Sequence, residues 1–301
     1  MASDEMSSKN VLIAGCGDLG QRIGRQLRQE GHTVWGLRRS ARSLEPLRAL
    51  QGDLGDEESL DQAFESVPSD FDLVVYAVAA DRFDDAAYRR AYVDGVVHLR
   101  RALARRAGKD PSGPVADRCL YVSSTSVYGT MDGSVVDETS PAEPPGFGGR
   151  RLLEGEAAAR SLAPVAVALR LGGIYGPGRE RLLRTVRDGS AVCYDAPTQW
   201  TNRIHVDDAA RAAVHLIGHE SPEPLYLGVD DAPSADGEVK RWLARRLGVA
   251  EPPPAESGPS STSRRMRSNK RCSNARLRAS GFELDYPTYR EGYGALIDAG
   301  A

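Results

Sequence analysis

The sequence predicts an α/β fold, a doubly wound parallel sheet with a smaller C-terminal lobe. Three observations predict it. Short apolar runs alternate with amphipathic stretches, a glycine-rich turn joins the first run to the first amphipathic stretch, and the alternation stops after "GGIYGPG". Apolar runs with no polar face suit strands covered on both sides, which is where parallel strands lie.

Strands are expected at "NVLIAG", "TVWGL", "FDLVVYAVA", "CLYVSS", "VAVALRLGG" and "LYLGVDD". Between the first two, Leu19, Ile23 and Leu27 recur every fourth residue, one face of a helix, and Gly31 closes the segment. Residues 1–178 and 203–230 are assigned to the sheet domain, and 179–202 with 231–301 to a lobe over its end. Within the lobe, "EPPPAESGPSSTS" is rich in Pro, Ser and Glu and reads as a mobile loop. No internal repeat is present.

Composition narrows the function. At 301 residues and 41% hydrophobic, the chain can bury one large core or two modest ones. A net charge of −3 offers no footprint for nucleic acid or an anionic membrane, so the expected partner is a small molecule. Cys16, Cys119, Cys193 and Cys272 lack the spacing that holds zinc, so no metal is expected and the thiols read as reduced. The start "MASDEMSSKN" has no apolar signal region, and no apolar run nears the roughly 20 residues that span a bilayer. A cytoplasmic protein is expected; the oligomeric state cannot be read.

Gly15, Gly17 and Gly20 follow the run Val11–Ala14 and precede the helical pattern, so GxGxxG stands in strand, turn and helix order. Gly15 would permit the turn, Gly17 would let a pyrophosphate approach the backbone, and Gly20 would let helix and strand pack closely. With Cys16, Asp18, Leu19 and, at the next strand end, Ala77, they form the expected dinucleotide site of a Rossmann domain. Eighteen residues after Gly20, where an acid would hold the ribose of NAD, stand Arg38, Arg39 and Ser40. Guanidinium groups favour a 2′-phosphate, so NADP is expected, with NAD as the other option; both arginines as solvated charges is the alternative. Asp53 accepts from the adenine amino group or serves as a helix N-cap.

The segments "AGCGDLG", "QGDLGD", "VSSTSVYG", "LRLGGIYGPGR" and "NRIHVDD", in that order over residues 11 to 208, resemble the extended short-chain dehydrogenase/reductase superfamily, which includes NAD-dependent epimerases and dehydratases of sugars. The resemblance implies a hydroxyl, tyrosine and lysine acting together. It places the hydroxyl at Ser124. The tyrosine and lysine are missing: Phe147 or Gly148 and Arg151 or Leu152 stand there, and no tyrosine lies between Tyr128 and Tyr175 nor any lysine between Lys109 and Lys240. Tyr128, Tyr92 and Tyr175 are, in that order, the candidate substitutes. Tyr92 stands where the family has Asn, and Thr201 where sugar-nucleotide enzymes have a diphosphate-binding arginine, with Arg203 on the same side of an extended segment. His205 reads as a buried structural histidine. Arg264, Arg265, Arg267, Lys270 and Arg271 either grip an anionic substrate or form a solvated cluster, the reading preferred at this point.

The expected function is an NADP(H)-preferring oxidoreductase or epimerase of a small polar or sugar-like compound, with a degenerate catalytic site and a substrate lobe closing the cleft. The alternative is a catalytically silent NADP(H)-binding regulatory or sensor protein.

Overall fold

The computed structural model describes residues 8–40, 42–256 and 268–300. Along the chain lie β1 (Asn10–Ala14), α1 (Asp18–Gln29), β2 (Thr33–Arg38), β3 (Arg48–Gln51), α2 (Glu57–Glu65), β4 (Leu73–Tyr76) and α3 (Asp85–Arg89). A π-helical turn (Arg90–Asp94) leads into α4 (Gly95–Ala107), followed by β5 (Arg118–Ser124), β6 (Val135–Val136), α5 (Phe147–Ala159), β7 (Val165–Leu171) and β8 (Gly173–Tyr175). Then come α6 (Arg181–Arg187), β9 (Trp200–Thr201), β10 (Arg203–His205), α7 (Val206–Gly218), β11 (Leu225–Gly228) and β12 (Ser234–Ala235). The remaining described elements are α8 (Asp236–Leu247), β13 (Arg271–Cys272), α9 (Ala275–Ala279) and α10 (Tyr289–Asp298).

Seven strands form one sheet in the order β11-β7-β5-β4-β1-β2-β3. β1 pairs in parallel with β2 on one side and β4 on the other, with Ala14 opposite Leu37 and Tyr76. The chain thus winds outward to β3, then reverses across β1 to β4. Ligands of open α/β sheets bind at such a reversal, outside the carboxyl ends of the strands.

Two compact units share the chain: Met1–Ser123, Arg151–Leu169 and Ala213–Pro224 form the first; Ser124–Arg150, Arg170–Ala212 and Leu225–Ala301 form the second. The division expected from sequence put residues 124–150 and 170–178, together with 203–212 and 225–230, in the sheet domain. By contacts these residues fall in the second unit, where β8 pairs with β10 and β6 with β13, while β11 stays an edge strand of the seven-stranded sheet.

The first unit's core gathers the apolar runs, with Leu12, Val74, Leu99 and Tyr121 buried together. Its helices start and stop where local chemistry directs. Asp56 caps α2 by accepting from the Glu58 and Ser59 N–H groups, and α4 stops at Gly108 in the left-handed region. The second unit has its own core of Tyr175, Leu183, Val186, Leu243 and Tyr293, built by α6, α8 and α10. Among the described residues no helix is long and apolar enough to cross a membrane.

Candidate functional site

The turn after β1 separates two steric demands from one opening. Gly15 has φ +87°, and a Cβ there would sit 2.8 Å from the Ala77 carbonyl. A Cβ on Gly20 would meet the Gly15 oxygen at 2.6 Å and Ile13 Cγ2 at 3.0 Å. Both glycines are therefore required by the fold itself. Gly17 is not: its φ is −80°, it caps α1 with no side chain, and a Cβ there meets nothing within 4 Å among the described residues. An open face beside a helix N-terminus, with N–H groups lacking intrahelical partners, is a cradle for an anion.

The other residues of the turn divide by direction. Cys16 is fully buried, its N–H donates to the Leu37 carbonyl at 2.9 Å, and burial pushes its thiol up to about 11. Its side chain therefore serves the core. Leu19 is buried, and Asp18 pairs with Arg22 at 3.1 Å. Ala77 donates its N–H to Ala14 at 2.8 Å, which fixes the β4 end against β1.

Arg38 ends β2 half-buried. Exposed Arg39 grips Asp81 with two hydrogen bonds, of 2.6 and 2.7 Å. Asp53 does not cap α2, a role that Asp56 holds; its carboxylate instead accepts from the Gly55 N–H at 2.8 Å in the turn before it.

Ser124 ends β5 and lines a cavity of about 620 Å³ within the second unit. Its Oγ accepts from the Ser126 N–H at 3.2 Å, which orients the hydroxyl and leaves its hydrogen to donate. The three tyrosines fare differently. Tyr128 is fully buried, burial pushes its phenol up, and its oxygen accepts from Arg170 at 2.8 Å, so its geometry is that of a packed core residue. Tyr92 lies in the π-helical turn of the first unit, where its oxygen accepts from the Ala80 N–H at 3.4 Å. Only Tyr175 of the three lines the cavity, and it stacks on Tyr293 with centroids 4.3 Å apart. Burial also pushes the Tyr175 phenol up.

Where the tyrosine and lysine are missing, α5 opens with Phe147 and Gly148, and Leu152 is buried. Arg151 is held by Asp85 at 2.8 and 2.9 Å and by Glu154, not extended toward a ligand. His205 is 2% exposed, accepts from the Asp207 N–H and packs on Tyr286.

Of the basic cluster, the two described residues are not solvated. Arg264, Arg265 and Arg267 lie outside the described residues. Lys270, however, is 4% exposed in the cavity wall, and Arg271 is half-buried with its guanidinium over Trp200. Lys270 Nζ donates to the Tyr128 carbonyl at 3.3 Å and to Ser268 Oγ at 2.6 Å, and burial lowers its pKa. Arg203, also in the wall, donates to Thr201 Oγ1 at 2.5 Å and keeps a second, buried nitrogen with no hydrogen-bond partner among the described residues. Asp230 nearby is 1% exposed, and burial pushes its carboxyl up to about 7. These buried charges had no signal in the sequence. Lys270 stands just before β13, a strand of two residues, too short for a burial pattern to declare itself.

Residues 11–228 match the model of the NAD dependent epimerase/dehydratase family. A Streptomyces protein named 3-diazoavenalumate denitrifying reductase is 30% identical, with 94% of this chain and 99% of that protein covered. A structure from Methylobacillus flagellatus, described as a candidate NAD-dependent epimerase/dehydratase, is 37% identical with a TM-score of 0.78, covering 98% of this chain and 99% of that one. The Bordetella bronchiseptica enzyme WbmG, solved in complex with NAD, shares the fold at a TM-score of 0.77 and 18% identity, with 99% and 95% covered. Its identity is low enough that it speaks for the fold alone. The reversal of the sheet, the glycine turn at its carboxyl end and the match over most of the length lead to one statement: the chain belongs to the NAD dependent epimerase/dehydratase family.

Proposed function

We propose that the protein is an NADP(H)-preferring oxidoreductase that acts on a small polar carbonyl or sugar-like compound. The observation that carries this is the open face at Gly17, flanked by two glycines whose closeness to backbone is obligatory. Gly17 and the first turn of α1 would hold the pyrophosphate, Arg38 the 2′-phosphate, and Asp53 the adenine amino group through its remaining lone pairs. When bound, the dinucleotide supplies or takes a hydride. Ser124 donates a hydrogen bond to the substrate oxygen, polarising the carbonyl, with its own oxygen steadied by the Ser126 N–H, and in the reducing direction water supplies the proton that completes the hydroxyl. The reductase name of the Streptomyces relative supports the reaction class. The test is a screen of aldehydes, ketones and free sugars with NADPH, followed by cofactor absorbance. Turnover that Ser124→Ala lowers by about 10-fold or more is expected, and equal turnover in that variant overturns the assignment.

One observation favours a second reading, a silent NADP(H)-binding regulatory protein. Arg151, the one cation at the missing pair, is committed to Asp85 and Glu154. Tight NADPH binding with no turnover across the screen would select it.

A further inference from the structure

We infer that the cavity of the second unit takes a compound bearing a compact oxyanion, a carboxylate or a phosphate, with Lys270 as its counter-charge. This deepens the oxidoreductase reading and rests on it for the ligand's role as substrate.

An ammonium has three N–H donors. Lys270 gives two to neutral oxygens, the Tyr128 carbonyl and Ser268 Oγ, and no carboxylate lies within ion-pair distance among the described residues. A nearly fully buried cation with no counter-ion is costly, and an anion arriving in the cavity that it lines would relieve that cost.

The neighbouring charges point the same way. Arg203 is 6% exposed, and one of its buried nitrogens has no hydrogen-bond partner among the described residues. Arg179 and Arg181 stand exposed on the same cavity. Against these the lining offers one acid, Asp236, which is bound to Lys240 and to the Tyr194 N–H. Asp230 donates its N–H to the Arg203 carbonyl at 2.7 Å, and its buried carboxyl feels the Arg203 charge without forming an ion pair within 4 Å among the described residues.

The lysine is also set in place before any ligand arrives. Its carbonyl accepts from Asn202 at 3.0 Å, and the Cys272 N–H donates back to Asn202 at 2.7 Å. On the other side, Asn269 clamps the Trp200 N–H at 2.8 Å and the Thr198 carbonyl at 2.9 Å. Thr201, where sugar-nucleotide enzymes have their arginine, carries no charge and is occupied by Arg203. The anion grip thus moves to Lys270, just before β13, and a preorganised ammonium lining the same cavity as carbonyl-polarising Ser124 suits a substrate that carries an oxyanion as well as the reacting oxygen.

The probes are inorganic phosphate and pyruvate, with acetone as neutral control, titrated by calorimetry into the full-length protein and into Lys270→Met and Lys270→Arg. Circular dichroism and a melting curve verify the fold of each variant. The expected result is that at least one oxyanion binds the native protein, that Lys270→Met weakens it about 30-fold or more, and that Lys270→Arg retains it. Which probe binds identifies carboxylate or phosphate. Equal binding by native and Lys270→Met, or no oxyanion binding at all, overturns the inference. A parallel turnover assay separates it from the oxidoreductase reading. Oxyanion binding without turnover of any carbonyl compound removes that reading alone, whereas neutral carbonyls turned over as well as their carboxylate analogues remove the anion site alone.

Discussion

Replacing Gly17 by valine tests the cofactor site with little disturbance to the fold. The backbone there has an ordinary negative φ, and a Cβ meets nothing within 4 Å among the described residues, so the side chain enters open space. The folded state loses only the difference between glycine and valine as N-cap, about 1 kcal/mol. A pyrophosphate held against the first turn of α1 would be pushed off the N–H groups. Each charge-assisted hydrogen bond contributes about 1.5–3 kcal/mol, so losing one or two costs about 2–5 kcal/mol, or about 30- to 5000-fold in affinity. NADPH titrated by calorimetry or fluorescence should therefore bind Gly17→Val weakly or not at all, while circular dichroism remains native. Gly20→Ala is the contrasting control, because its Cβ would stand 2.6 Å from the Gly15 oxygen and should lower the melting temperature as well. NADPH affinity in Gly17→Val within about 3-fold of native would refute the claim that the open face is the pyrophosphate site.

Further predictions follow from the same geometry. Arg38→Asp should invert a native preference for NADPH over NADH of about 10- to 100-fold, and equal native affinities would make Arg38 a surface charge. Asp81→Asn should tighten NADPH by about 2- to 5-fold without changing NADH, because it frees Arg39 from an exposed pair of about 0.2–1 kcal/mol; identical changes for both nucleotides would remove Arg39 from the site. Ser124→Ala should lower kcat by about 10-fold or more on any carbonyl compound turned over, read from cofactor absorbance. Asp230 gives a pH dependence: burial raises its carboxyl from 3.8 to about 7, so the stability tied to its neutral form is complete below about pH 4 and is lost as pH rises toward 7. The loss is on the order of 4 kcal/mol, at about 1.4 per pH unit, and Asp230→Asn should flatten that part of a urea-unfolding series; an unchanged slope would refute it.

The first unit was legible because its signals are local. The apolar runs become β1, β2, β4 and β5, and Leu19, Ile23 and Leu27 are buried on one face of α1. The glycine turn announced its own geometry, since a positive φ at Gly15 and a tight approach at Gly20 leave few substitutes. The second unit was much less legible. Its strands β6, β9, β12 and β13 are two residues each, and what fixes them is pairing between distant segments, such as Arg271 with Val135. The same distance hid the commitments of Arg39 to Asp81 and Arg151 to Asp85, which decide whether a charge is available to a ligand. Lys270 was placed among solvated arginines because composition sees charge and not the carbonyl 142 residues away that receives it.

That separation has a consequence for how the protein comes into being. Synthesis proceeds from the N-terminus at about 5–20 residues per second, so Tyr128 would wait roughly 7–30 s for its lysine to emerge. Throughout that interval β6 has no strand partner, and Val136, 4% exposed when complete, faces water or whatever else is at hand. A nascent chain paused in this window would present the glycine turn already made and the cavity still lacking its wall. Premature termination before residue 270 should therefore leave a product whose cavity never forms and whose unpaired strand invites association with other chains.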